Sequence, residues 1–305
     1  MRSLASFAMR GTSQAVMLAA LLAMLSLLVP PLSIVSSAVV ALVGLRKGPR
    51  DGALVVVLAG AACAVLAYLA LGNAFSVVGF TLMMWVPVWL LALLLWASRS
   101  LSVTLQGGLL MGLVIVAGQY FQDQDPVAAW QAVLKPLIDS LVAADLVKAD
   151  QQQPLLETMA RWMPGLVAAG FFLQSMLSLF LARWWQALLY NPGGFRREFH
   201  RLRMHRGVAV VTLLALLLKV LGAGGNLLDY VVILLLVGWL LQGLALIHGL
   251  VGIMKMNAGW LVGLYALLVL VMPQAVMVIS AVGFADAWID FRARLGGRSG
   301  PDTAR

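Results

Sequence analysis

Long apolar runs broken by short polar, glycine- or proline-bearing stretches set the pattern of this 305-residue chain. In lipid every backbone N–H and C=O must bond within its own segment, so such runs predict helices. Nine fit: 12–29, 32–45, 53–71, 75–97, 102–121, 164–189, 207–221, 228–247 and 258–284. Pro30 and Pro31 separate the first two, because proline cannot continue a helix past its first turn. The second run reaches only about 21 Å at 1.5 Å per residue, short of a ~30 Å hydrocarbon core. The last run is long for one crossing and short for two, with Pro273 in its middle. A kinked span leading into an interfacial helix fits it, and so does a re-entrant hairpin that brings the tail back. The fold class expected is all-α: a polytopic membrane helical bundle of roughly eight or nine transmembrane helices, with 1–305 as one membrane domain.

Composition sharpens this picture. Hydrophobic residues make up 62% of the chain and charged ones 11%, against about 25% charged in soluble domains. A water-facing surface cannot be covered with so few charges. Arg2 and Arg10 precede an apolar run from 15 to 29, much as in a signal peptide. The run exceeds an ordinary h-region and a second one follows at once, which points to an uncleaved first helix.

The net charge of +9 matters less than where the charge sits. Arg46, Lys47 and Arg50 fall in one connection, Arg99 in another, and Arg196, Arg197, Arg201, Arg203 and Arg206 in a third, the loop 190–206. Lysine and arginine in short loops mark the cytoplasmic side. A cytoplasmic N-terminus puts all three loops inside. It puts the uncharged turns 72–74 and 222–226 outside, together with the connection 122–163, which has six acidic and three basic residues. The C-terminal segment 285–305 carries Arg292, Arg294, Arg298 and Arg305, and its side stays open.

Two segments lie outside the bilayer in this reading. Trp130, Val133, Leu134, Leu137, Leu141 and Leu146 recur at near-helical spacing, with Asp139, Asp145 and Lys148 opposite. They predict an amphipathic helix lying on the outer membrane surface or capping the bundle, serving as a lid over a cavity or as a plain connection. Gln151-Gln152-Gln153-Pro154 breaks it before a second short helix. On the other side, Asn191-Pro192-Gly193-Gly194 signals a turn. Phe195, Phe199 and Leu202 then share one helical face among arginines. Anchoring on anionic lipid explains this basic helix, at about 1 kcal/mol per basic residue near the surface. Docking of a cytoplasmic protein explains it as well. Direct nucleic-acid binding is not expected.

Ionisable groups at membrane depth are functional candidates by default. Lys219 ends the seventh run and Asp229 opens the eighth, across the short turn 222–226. They either pair, hold a charged solute between them, or act separately, Lys219 snorkelling and Asp229 capping its helix. Gln174 and Gln274 are further candidates for solute contact, and Gln242 is equally deep. Cys63 lies in an apolar run without metal-ligand neighbours, and His200 and His205 lack acidic or cysteine companions. No metal site or cofactor is expected. HExxH, CxxC, Walker and GxSxG patterns are all missing, so no enzyme is expected.

The stretches 191–203 (NPGGFRREFHRLR) and 283–292 (GFADAWIDFR), with 41–48 (ALVGLRKG), resemble the uncharacterised bacterial membrane family often called DUF2232 or YybS-like. Such proteins look distantly similar to the S-components of energy-coupling-factor transporters. The resemblance implies a bacterial inner membrane and a helical bundle holding a small-molecule solute near its outer face. A cytoplasmic ATPase module would drive it, with the first six spans as the S-component-like core. The S-component fold has six helices, whereas here two or three more follow the basic loop.

Overall fold

The computed structural model describes residues 1–122 and 125–296. Asp123 of the outer connection and Arg298 and Arg305 of the tail lie outside the described residues. The helices are α1 (Arg2–Ala8), α2 (Thr12–Ser26), α3 (Leu32–Lys47), α4 (Pro49–Leu71), α5 (Phe75–Ser98), α6 (Leu101–Gln122) and α7 (Pro126–Ala143). A 3-10 turn at Ala149–Gln151 leads into α8 (Gln152–Tyr190), followed by α9 (Gly194–His200), α10 (Arg206–Val220) and α11 (Gly225–Ile253). Finally come α12 (Gly259–Leu270), α13 (Met272–Ile289) and α14 (Phe291–Gly296). All regular structure among the described residues is helical, and six of these helices are long and apolar enough to cross a membrane. Two compact units form, Met1–Gly108 with Leu173–Arg203 and Leu109–Phe172 with Met204–Arg305; α6 and α8 contribute residues to both.

In the first unit α3 is the centre, packed by α2, α4 and α5. From Ser36 to Leu45 every residue of α3 is buried. Its small side chains allow this: Ser36 donates to the carbonyl of Ala19 on α2 at 2.7 Å and accepts from the Trp85 indole of α5 at 3.0 Å. Such contacts hold apolar helices together where lipid offers no hydrophobic contrast. A Cβ on Gly52 would stand 2.9 Å from the Gly44 Cα, so α3 and α4 meet backbone to backbone. Cys63 is buried against Ala20. The outer faces of α4 and α5 expose Val57, Val65, Leu69 and Met83, as lipid-facing surfaces do.

In the second unit the closest packing is between α11 and α13. A Cβ on Gly243 would run into the Ile279 carbonyl, and one on Gly283 into that of Trp239. Ser280 donates to the Leu236 carbonyl at 2.9 Å, and Trp239 donates to Thr212 of α10 at 2.9 Å. A Cβ on Gly165 of α8 would lie 2.9 Å from the Tyr230 Cα of α11.

Several expectations change. The predicted break before Pro154 is present, since α7 ends at Ala143 and α8 starts at Gln152, but the second short helix and the span expected from 164 are one 39-residue helix, α8, running through Pro164. At 1.5 Å per residue that is about 58 Å, far more than one crossing needs. Its first turns are covered by α7: Leu134 and Ile138 pack on Leu156 and Ala160, with Trp130 and Leu141 beside them. The amphipathic helix therefore packs part of its apolar face on protein. Val133, Leu137 and Leu146 remain exposed. Asp125 caps α7, accepting from Val127 N–H at 3.0 Å and Ala128 N–H at 3.2 Å.

The last apolar run also resolves. The chain breaks at Val271 into α12 and α13. The 12-residue α12 reaches about 18 Å, too little for a crossing. The end of α13 lies where α10 begins, because Arg206 donates to the Ala287 carbonyl at 3.3 Å. The last apolar run is therefore two helices, the second of which packs along α11.

Candidate functional site

The basic connections of the first unit converge at one end of it. Trp89 donates to the Pro49 carbonyl at 3.0 Å, and Gln186 of α8 to the Leu45 carbonyl at 3.1 Å, satisfying an orphan acceptor at the end of α3. The Arg46 guanidinium lies 4.2 Å from the centre of the Tyr190 ring, a cation–π contact. The Arg203 N–H donates to Ser102 at the start of α6 at 3.0 Å.

Gly193, at φ 78°, turns the chain from α8 into α9; a left-handed conformation of this kind favours glycine. Phe195 and Phe199 stack on each other and both meet Phe180 of α8, with ring centroids 5.5–6.0 Å apart. Leu202 is fully buried. The apolar face expected as a docking or lipid surface is therefore turned onto α8, which offers a complementary aromatic. Only the arginines of that pattern, Arg196, Arg197 and Arg201, stay exposed, with Arg203 half-buried. Glu198 anchors the helix through a forked pair with Arg183, one arm of which is Nε to Oε2 at 2.9 Å.

This end holds a cavity of about 500 Å³, lined by Leu45, Leu95, Trp96, Arg99, Arg183, Gln186 and Glu198. Arg99 caps α5 at φ 52° and makes no ion pair among the described residues. The connections at this end carry Arg46, Lys47, Arg50, Arg99, Arg196, Arg197, Arg201 and Arg203 along with Asp51 and Glu198, and Arg99 and Arg183 line the cavity. The arrangement suits an anion with an apolar part.

The other candidates do not join this cavity. Lys219 and Asp229 form an ion pair across the turn between α10 and α11 in the second unit. Gln174 is half-buried in α8 within the first unit, and its carbonyl accepts from Ser178 at 2.8 Å. Gln274 is exposed on the first turn of α13. The four sequence candidates thus do not form one site. A smaller cavity of about 250 Å³ lies beside α7, lined by Gln119, Gln122, Trp130 and Val133. Among the described residues no group of three metal-ligating side chains occurs.

Sequence reasoning missed a buried polar knot in the second unit. Gln242 accepts from Met204 N–H at 2.7 Å and donates to the Gly283 carbonyl at 2.9 Å and, at 3.4 Å, to Asp286. Asp286 is 0% exposed; it accepts from Arg292 at 2.8 Å and from Phe291 N–H at 3.2 Å. One signal was available: Asp286 and Arg292 both lie in the stretch 283–292. Comparison with protein-family models, with curated proteins and with solved structures finds no match.

Proposed function

We propose that this chain is a multi-pass bacterial inner-membrane protein with a cytoplasmic N-terminus that binds a small-molecule solute, and that it acts in transport. The cavity of about 500 Å³ at the basic end of the first unit carries this reading. Its walls combine a guanidinium without a carboxylate partner among the described residues, a hydrogen-bonding amide and apolar surface, which is the usual make-up of a ligand site. The resemblance to S-component-like proteins favours solute binding in general, although the face it implies is the outer one and not this basic end.

The topology that goes with it has eight crossings, α2 to α6, α8, α10 and α11, with α12 and α13 as a re-entrant pair. The gathering of the 46–50, 99 and 191–203 segments at one end of the first unit supports it. So does the return of α13 to the start of α10. Reporter fusions at Gly48, Gly194 and Arg305 should all read cytoplasmic, and one at Ala144 should read outside. An outward Gly194 or Arg305 would overturn this arrangement.

The binding reading is tested by a thermal-shift screen of detergent-purified protein against vitamins, nucleobases, metals and lipid precursors. A ligand at 100 times its dissociation constant should add about 2.7 kcal/mol of stability. A silent panel would move weight to a second reading, a scaffold that docks a cytoplasmic protein on α9. Its support is that Arg196, Arg197 and Arg201 are exposed on a helix locked in place by Phe180 and Arg183. A pull-down lost on changing these three arginines to glutamine would favour the scaffold.

A further inference from the structure

Resting on the solute-binding reading, we propose that the cavity at the basic end of the first unit takes a phosphate group carried on an amphiphilic molecule, as in the headgroup of an anionic lipid. Two guanidiniums from different helices, Arg99 closing α5 and Arg183 within α8, line it. Arg183 uses its Nε and one Nη on Glu198 and keeps further N–H donors. Arg99 has no competing carboxylate among the described residues. A phosphate has enough oxygens to accept from both forks at once, the geometry for which arginine is the preferred partner.

Charge and shape narrow the class further. Glu198 would repel an anion, but its forked pair with Arg183 offsets that charge locally. The ends of α3 and α5 would likewise repel an anion through their free carbonyls. At α3 the Gln186 amide occupies the Leu45 carbonyl, and at α5 Arg99 itself provides a compensating positive charge. Arg46, Arg50, Arg196 and Arg197, in the connections at this end, disfavour a cation. The volume exceeds what a bare phosphate fills, and Leu45, Leu95 and Trp96 supply apolar wall. Trp96 is 51% exposed near the end of a candidate span, where amphipathic rings meet headgroups.

The test uses the full chain, delipidated in a neutral detergent, with calorimetric titration of four probes. These are dihexanoyl phosphatidylglycerol, glycerol 3-phosphate, inorganic phosphate and, as a zwitterionic control, dihexanoyl phosphatidylcholine. Saturable binding of the phosphatidylglycerol is expected, weakened at least tenfold in Arg99→Gln and less in Arg99→Lys. Lys47→Gln, which removes a charge at the same end but outside the cavity wall, should leave it within twofold. A melting temperature and elution profile of Arg99→Gln matching those of the parent protein exclude a folding defect as the source of the loss.

Glycerol 3-phosphate binding as tightly, with the same Arg99 dependence, would keep the phosphate chemistry and reject the lipid as its source. Equal loss in Lys47→Gln would reduce the effect to diffuse surface charge and overturn the proposal. A phosphate-free compound from the wider screen that binds in an Arg99-dependent manner, with none of the phosphates binding, would overturn the phosphate class and leave the solute-binding reading standing. Binding by none of them would remove both.

Discussion

Each unit holds a short helix in place with an arginine–carboxylate pair, and the two pairs sit in different surroundings. In the first unit Arg183 and Glu198 tie α9 to α8 at the wall of a cavity, and the Glu198 side chain is 35% exposed. In the second unit Asp286 and Arg292 tie α14 to α13, with Asp286 at 0% exposure and Gln242 and Phe291 N–H also on it. An ion pair reached by water is worth little and is replaceable. A pair whose carboxylate has lost its water is stabilising only while both partners stay. The same two side-chain types therefore make a ligand-accessible wall in one place and a structural lock in the other. What decides is how many other polar groups complete the shell.

The largest effect that separates the two comes from Asp286→Ala. It strands the Arg292 guanidinium and removes acceptors for Gln242 and Phe291, so unfolding in detergent should show a loss of about 3–5 kcal/mol. The double change Asp286→Leu with Arg292→Met should be milder than the single one. A milder single variant would mean that the knot does not depend on charge pairing.

Next come the glycines that let α11 and α13 touch. Gly243→Ala and Gly283→Ala each force a Cβ onto a backbone carbonyl that cannot swing aside. Each should cost about 1–3 kcal/mol, as overpacking does. Gly79→Ala, with nothing within 4 Å of its Cβ, is the control and should leave the melting temperature almost unchanged.

In the first unit Glu198→Gln should cost about 1 kcal/mol at most. Its clearer readout is local: protease cleavage after Arg196, Arg197 and Arg201 should speed up as α9 loosens from Arg183. Unchanged cleavage would show that Phe195, Phe199 and Phe180 hold the helix alone. The smallest effect is expected at the turn between α10 and α11. A double-mutant cycle of Lys219→Met and Asp229→Asn should give a coupling of roughly 0.5–1 kcal/mol, and a coupling near zero would show that the two act separately.

Much of this molecule was legible along the chain, and the reason is local. Apolar length, proline and glycine breaks and the placement of arginines are properties of short segments, so helix existence and most boundaries followed from them. The short turn placed Lys219 and Asp229 near each other but left pairing, solute binding and separate action open, and the structure pairs them. The start of the sixth run was less legible: the apolar pattern points to 164, whereas α8 begins at Gln152 and continues through Pro164. In the structure Gln119 of α6 donates to the Pro164 carbonyl at 3.3 Å.

By itself the sequence determined that this is a helical membrane protein with its positive charge gathered in a few connections. Only the tertiary structure decided which faces pack. Helices that are apolar all round carry almost no directional signal, so nothing in 32–45 announced that this short, serine-bearing segment would be the buried centre of its unit. Nor did spacing announce that Gln242, Asp286 and Arg292 would share one knot, or that Arg99 and Arg183 would line one cavity. Such sites join residues far apart along the chain. Their geometry depends on close approach at small residues and on which polar groups lose their water together, and neither is a property of a single segment.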